Sequence, residues 1–222
     1  MAVNTLAYHS ILAELTQQNI TLVAVSKTKP AEDIQALYNL GQRDFGENYV
    51  QELVDKTTIL PTDIRWHFIG HLQSNKVKYI VPFVHLIHGV DSLKLLKEIN
   101  KQAAKANRVI NCLLQVHIAQ EETKFGFDEQ ELLAINTDEL LGLKNVHVAG
   151  LMGMASFTED KDKVRAEFGY LKTLFDKLSA ALPAPLTTLS MGMSGDYTIA
   201  AAEGSNMVRI GSLLFGARQY AQ

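Results

Sequence analysis

The sequence predicts an α/β fold: a single parallel (β/α)8 barrel of TIM type with an extra N-terminal helix, one domain over residues 1–222. Three observations predict it. Short apolar runs alternate with longer helical patterns about eight times along the chain. The runs LVAV, CLLQV and HVAGLM are apolar on successive residues, as strands buried on both faces require. The 222 residues suit one undivided barrel, and no Ser/Gly-rich linker, charge block or repeat divides them. A doubly wound open sheet shares the alternation and is the alternative fold.

The elements follow in order. An N-terminal amphipathic helix turns Leu6, Ile11, Leu12 and Leu15 inward. Leu22–Ser26 is the first strand. Pro30 opens a helix with Ile34, Leu37 and Leu40 at helical spacing, and Gly41 ends it. Asp44–Gly46 is a short strand, followed by a helix through Val50, Leu53 and Val54. Arg65–Gly70 is a strand and Gln73–Tyr79 a short helix. Leu86–Val90 is a strand, and Ser92 caps a helix that buries Leu95, Leu96 and Ile99. Ile110–Ile118 is the longest strand, with a helix over 128–141 after it. Val146–Met152, Thr188–Met191 and Met207–Ile210 complete the strands, with helices Lys161–Ala180 and Tyr197–Ala202 between them.

Composition narrows the function classes. The hydrophobic fraction of 47% and charged fraction of 20% are ordinary for a globular chain. A net charge of -3 makes no electrostatic case for nucleic acid or an anionic membrane. No apolar run approaches the roughly 18 residues that span a bilayer. The N-terminus shows no basic leader followed by a continuous apolar stretch, so a cytoplasmic protein is expected. The lone Cys112 cannot form an internal disulfide and sits in a strand, where it reads as core.

In such barrels ligands meet the C-terminal ends of the strands and the loops that follow. Two of these loops, Met191-Gly192-Met193-Ser194-Gly195 and Gly211-Ser212, suggest a phosphate site. Small residues admit a dianion to backbone N–H groups, and Ser194 and Ser212 add hydroxyl donors. Lys27 ends the first apolar strand, where desolvation penalises the ammonium and favours the neutral amine that condenses with a carbonyl. A strand-end lysine reaching solvent is the plain alternative. Lys29, a rival, precedes Pro30 and is pushed toward extended geometry. Arg209 interrupts the apolar Met207–Ile210 and needs a partner, either a structural carboxylate such as Glu47 or a ring nitrogen. A lysine for an aldehyde, an arginine for a ring nitrogen, and hydroxyls with glycines for a phosphate together describe a site for pyridoxal 5′-phosphate (PLP). His67 and His71 are spaced i, i+4 but straddle a strand end and lack further ligands, so no metal site is assigned. His85, His88, His117 and His147 read as ordinary partly buried histidines.

The segments LVAVSKTKP (22–30), FGENYVQE (45–52), WHFIGHLQSNK (66–76), LSMGMSGD (189–196) and GSNMVRIGSLLFGAR (204–218) closely resemble the pyridoxal phosphate homeostasis protein family, nearly end to end. That family is similar in fold to the N-terminal barrel of alanine racemase, the fold-type III class of PLP proteins. The resemblance implies that Lys27 holds PLP as a Schiff base and Arg209 faces the pyridine nitrogen. It implies that Ser194, Gly211 and Ser212 bind the phosphate and that Asn48 lies against the cofactor. His67, Asn75, Lys76 and Lys124 match further family positions around the pocket. Two departures are visible: Ser212 stands where the family usually has Thr, and Gly195-Asp196 stands where it often has two acidic residues.

An arginine at the ring nitrogen does not readily protonate the pyridine, and the second base of a racemase is implied to come from a further β-domain for which no residues remain before Gln222. A carrier or regulator of PLP homeostasis is therefore expected, with no catalytic residue assigned and apo PLP-dependent enzymes as recipients. The chain is expected to be a monomer, a weak dimer being the alternative. A low-activity amino-acid racemase using Lys27, and a cofactor-free Schiff-base aldolase or sugar-phosphate isomerase, remain open alternatives.

Overall fold

A computed structural model describes residues 3–119 and 125–216. Eight parallel strands close into a barrel in chain order: β1 (Thr21–Val25), β2 (Asp44–Glu47), β3 (Arg65–Phe68), β4 (Leu86–Val90), β5 (Ile110–Gln115), β6 (Val146–Met152), β7 (Thr188–Ser190) and β8 (Met207–Ile210). β8 pairs back onto β1, with Val23 opposite Arg209 and Ala24 opposite Ile210. The closed barrel, not the open sheet, is the fold.

The helices are α1 (Thr5–Gln17), α2 (Ala31–Asn39), α3 (Val50–Thr57), α4 (Val77–Ile80), α5 (Leu93–Lys105), α6 (Glu129–Leu133), α7 (Thr137–Gly142), α8 (Lys161–Ala181), α9 (Tyr197–Ala202) and α10 (Ser212–Phe215). α1 lies beside the last two: Asn4 N donates to Leu214 O, and Tyr197 Oη meets Glu14 Oε2 at 3.1 Å. The extra N-terminal helix thus shields the β8–β1 side, where the four-residue α10 is too short to do so alone. Its buried stripe is Tyr8, Ile11 and Leu15, whereas Leu6 is 84% exposed; the inward face is rotated from the one read in the sequence. The helix expected over 128–141 is two helices. Asp128 and Glu131 form a capping box on α6, and Asn136 caps α7 by accepting from Asp138 N and Glu139 N. An Asn side chain competes with helical hydrogen bonds mid-run and favours such a cap. The longest run, Ile110–Ile118, leaves the sheet after Gln115.

Successive strand residues divide between two layers. Phe45, Phe68, Ile87, Leu114, Leu151, Leu189 and Val208 join the large core under the helices. The alternate positions Leu86, Leu113, Ala149 and Met152 form a smaller, separate cluster that fills the lumen. No helix among the described residues is long and apolar enough to cross a membrane.

Candidate functional site

The first strand ends in a turn that presents Lys27. Lys29 N donates to Ser26 O at 3.0 Å, closing Ser26–Lys29, and Thr28 takes φ 63°. A β-branched residue in the left-handed region is strained, and such strain persists only where surrounding bonds enforce it. The bonds are present: Glu52 Oε1 accepts from Thr28 N at 2.6 Å, and Lys56 Nζ donates to Ser26 O at 2.9 Å. Ser26 Oγ donates to Glu47 Oε1 at 2.5 Å, and Lys56 binds the same oxygen at 2.7 Å. A buried clamp from β2 and α3 therefore grips the backbone on both sides of Lys27. Lys29 is engaged elsewhere, its Nζ donating to Phe215 O at 2.9 Å.

Glu47 belongs to this clamp and not to Arg209, which corrects the pairing weighed from sequence. Side chains alternate along a strand, so Glu47 faces α3 while Asp44 and Gly46 are oriented to the lumen. Burial pushes the Glu47 carboxyl up to about 7 against the pull of Lys56 and Ser26. Its Oε2 has no hydrogen-bond partner among the described residues.

β7 and β8 carry the other end of the site. Gly192 takes φ +95°, and a Cβ there would lie 2.6 Å from Ala200 Cβ, so the loop after β7 needs glycine to turn. Ser194 Oγ accepts from Gly211 N at 3.2 Å, which brings the two expected phosphate loops together. Ser212 is exposed at the start of α10. Gly211 meets Val25, two residues before Lys27. Lys27, Ser194, Gly211 and Ser212 therefore share one sector of the barrel mouth. Arg209 is buried one layer below. Its Nη1 donates to Ser190 O at 2.9 Å and Ser190 Oγ at 2.6 Å, and its Nη2 to Gly153 O at 3.1 Å. Burial pushes its guanidinium down to about 10, with Asp196 opposing, so it remains a cation at neutral pH. Among the described residues no carboxylate lies within salt-bridge distance of it.

Asn48 follows β2, and its Oδ1 is buried with no hydrogen-bond partner among the described residues. A buried polar atom without a partner is uncommon and calls for an explanation such as a ligand. The backbone under Asn48 is tightly held: a Cβ on Gly70 would sit 2.3 Å from Asn48 O. Gly70→Ala is expected to shift the end of β2 and cost about 1–3 kcal/mol, measured by urea unfolding. A cavity of about 500 Å³ opens beside Asn48, lined also by Tyr49, His71, Gln73, Lys76 and Tyr79. Its lining does not include Lys27, Ser194, Arg209, Gly211 or Ser212, so it flanks the site described above. Asn75 and Lys76 are exposed on the turn after β3, and Lys124 lies outside the described residues.

The lumen holds polar residues that the sequence reading did not bring together. His67 and His88 are both buried and bonded to each other, Nδ1 to Nε2, at 2.9 Å. His88 is no ordinary partly buried histidine. It reaches across to Ser190, and because β4 and β7 are not neighbours, their side chains can meet only through the lumen. His88 is the single polar side chain of β4, a weak signal that becomes legible only when polar residues of other strands fall in the same layer. Asp44, His67 and His85 place ligand atoms within 4.8 Å of one another. Arg65 occupies both Asp44 oxygens, and His67 takes a share of one. An adjacent guanidinium opposes a bound dication, so the group is a hydrogen-bonded cluster.

The family model described as alanine racemase, N-terminal domain, matches residues 8–219. A relative from Aquifex aeolicus (strain VF5), the pyridoxal phosphate homeostasis protein, is 44% identical over 200 residues, 90% of this chain and 87% of that one. The solved structure of PipY from Synechococcus elongatus PCC7942 with PLP bound is similar at a TM-score of 0.83 and 38% identity, over 92% of this chain and 98% of that chain. An alanine racemase from Clostridium difficile 630 has a TM-score of 0.74 at 16% identity, over 94% of this chain and 55% of the racemase, a likeness of fold alone.

Proposed function

The chain belongs to the pyridoxal phosphate homeostasis protein family, and from that premise we propose that it holds PLP on Lys27 and carries or buffers the cofactor in the cytoplasm without turnover of its own. One observation carries the reading: Arg209 is a buried cation with no bonded carboxylate among the described residues, on the strand beside β1, which leads into Lys27. A buried charge with no counter-ion bonded to it is costly unless something else uses it. The ring nitrogen of PLP is an acceptor that a guanidinium can serve.

The residues of the mouth suit the remainder of the molecule. Ser194, Gly211 and Ser212 would hold the phosphate through hydroxyl and N–H donors, and the Asn48 amide, whose Oδ1 lacks a partner among the described residues, would face the cofactor. When bound, PLP supplies an aldehyde. Lys27 would hold it through its side-chain amine, a nucleophile that would condense with that aldehyde with loss of water. An arginine at the ring nitrogen leaves the ring a weaker electron sink, which favours holding the cofactor over amino-acid chemistry. Apo PLP-dependent enzymes are the proposed recipients.

The test is a visible absorption spectrum of the purified protein with PLP, before and after borohydride. A Schiff-base band is expected, replaced on reduction by a pyridoxyl group that peptide mass spectrometry places on Lys27. Loaded protein should then reactivate an apo PLP enzyme. A colourless protein with no reducible adduct would overturn the reading.

A further inference from the structure

The polar residues of the lumen form one continuous file. Arg209 Nη1 is 2.6 Å from Ser190 Oγ, which is 3.2 Å from His88 Nδ1. His88 Nε2 is 2.9 Å from His67 Nδ1, and His67 Nε2 is 3.0 Å from Asp44 Oδ1. Ser190, His88, His67 and Asp44 are all buried, and Asp44 starts β2 at the mouth opposite Lys27.

The two ends decide where the protons sit. Burial opposes ionisation of Asp44, but Arg65 and His67 outweigh it and hold the carboxyl well below the usual carboxylate range. A carboxylate only accepts, so His67 donates from Nε2. A neutral imidazole that donates from Nε2 accepts at Nδ1, and facing such a ring His88 must donate from Nε2. Burial above all, with the Arg209 cation adding to it, holds His88 well below its ordinary value, so its ring is neutral. Its Nδ1 accepts the Ser190 hydroxyl proton. The Ser190 oxygen is then left for Arg209, which can only donate.

We propose that Ser190, His88, His67 and Asp44 are positioning residues for Arg209, a relay of single polarity that reserves the Ser190 oxygen for the guanidinium and aims it at the cofactor ring. The inference deepens the PLP reading and rests on it. Asp44→Asn should reverse the file from the far mouth of the barrel. The Asn amide offers one oxygen, which Arg65 takes, and turns its N–H groups toward His67. His67 then accepts at Nε2 and donates from Nδ1. His88 follows, and its Nδ1–H competes with Arg209 for Ser190.

The test begins with 15N-imidazole NMR of the full chain at mildly alkaline pH, without PLP. His67 and His88 are both expected as Nε2–H tautomers in the wild type and as Nδ1–H tautomers in Asp44→Asn. Ser190→Ala, a small change that keeps the barrel filled, should weaken PLP binding about tenfold, as loss of one hydrogen bond to a charged group would. Its reducible adduct should remain on Lys27. Wild-type His88 found as the Nδ1–H tautomer or as imidazolium would overturn the relay, as would unaltered PLP affinity in Ser190→Ala. Should Asp44→Asn not fold, the wild-type tautomers and Ser190→Ala decide. Failure of the wild type to trap PLP at all would sink the cofactor reading while leaving the tautomer pattern intact, so the two failures are distinguishable.

Discussion

Lys27→Ala is expected to abolish the Schiff-base band and the borohydride-stable adduct. Alanine can occupy the same turn position, because the strain falls on Thr28 and the enforcing bonds come from Glu52 and Lys56 to backbone atoms. The variant should therefore fold and keep Arg209 and the Ser194–Gly211 contact in place. Non-covalent PLP binding should survive at an affinity lower by on the order of a hundredfold, equivalent to about 2.8 kcal/mol. Lys27→Arg should behave in the same way, since a guanidinium keeps the charge but is not a nucleophile at neutral pH. Equilibrium dialysis and the reduced-peptide map measure both parts. A full-strength adduct in Lys27→Ala would move the anchor to another lysine. Lys29 is poorly placed for this because it donates to Phe215 O on the rim of the barrel.

The barrel was legible because LVAV, CLLQV and HVAGLM read as unbroken apolar runs, as parallel strands buried on both faces do, and about eight short strand candidates alternate with helical patterns. The sector of the mouth was legible for the same reason: once the strand ends are placed, Lys27, Ser194, Gly211 and Ser212 fall on the adjoining loops after β1, β7 and β8. The Glu47 error could have been avoided. Asn48 was read as facing the pocket, and period-two alternation then sends Glu47 outward to α3. The lumen could not be read in this way. Asp44, His67, His88 and Ser190 belong to four strands, and only closure brings β4 against β7. The split at Asn136 and the rotated face of α1 reflect local competition, one from a capping side chain and one from Tyr8 burying in place of Leu6. Neither touches the site.

The clamp explains why a binding protein would bury so many charges at one corner. Exposed ion pairs contribute little, but Lys56 is 6% exposed and bonds Glu47 Oε1 at 2.7 Å and Glu52 Oε1 at 2.6 Å. These are the groups that hold Ser26 O and Thr28 N, so they hold the Lys27 turn in a conformation that Thr28 would not adopt alone. The specificity lies in geometry fixed before any ligand arrives.

Lys56→Met should accordingly be the most damaging of these substitutions to stability, lowering the unfolding free energy by about 3–5 kcal/mol, as removal of one member of a buried pair does. The side chain is close in volume, so the loss comes from Glu47 left without its cation. The effect should depend on pH in a definite direction. In the wild type Glu47 sits at about 7 when folded against an ordinary 4.5, so the native state holds the extra proton between those values. Stability from this group is therefore greatest at acid pH and declines as pH rises through that window. Without Lys56 the folded value moves higher still, and the decline continues above neutrality. Urea unfolding near pH 5 and near pH 8 (values spanning most of that window and reaching above it) should show the larger deficit at the alkaline end. Adding Glu47→Leu should recover most of the loss and flatten the pH dependence, because no uncompensated charge remains to be buried. A cost below about 1 kcal/mol, of the size expected for a surface pair, or an equal deficit at both pH values, would mean that Glu47 is not the buried charge Lys56 neutralises.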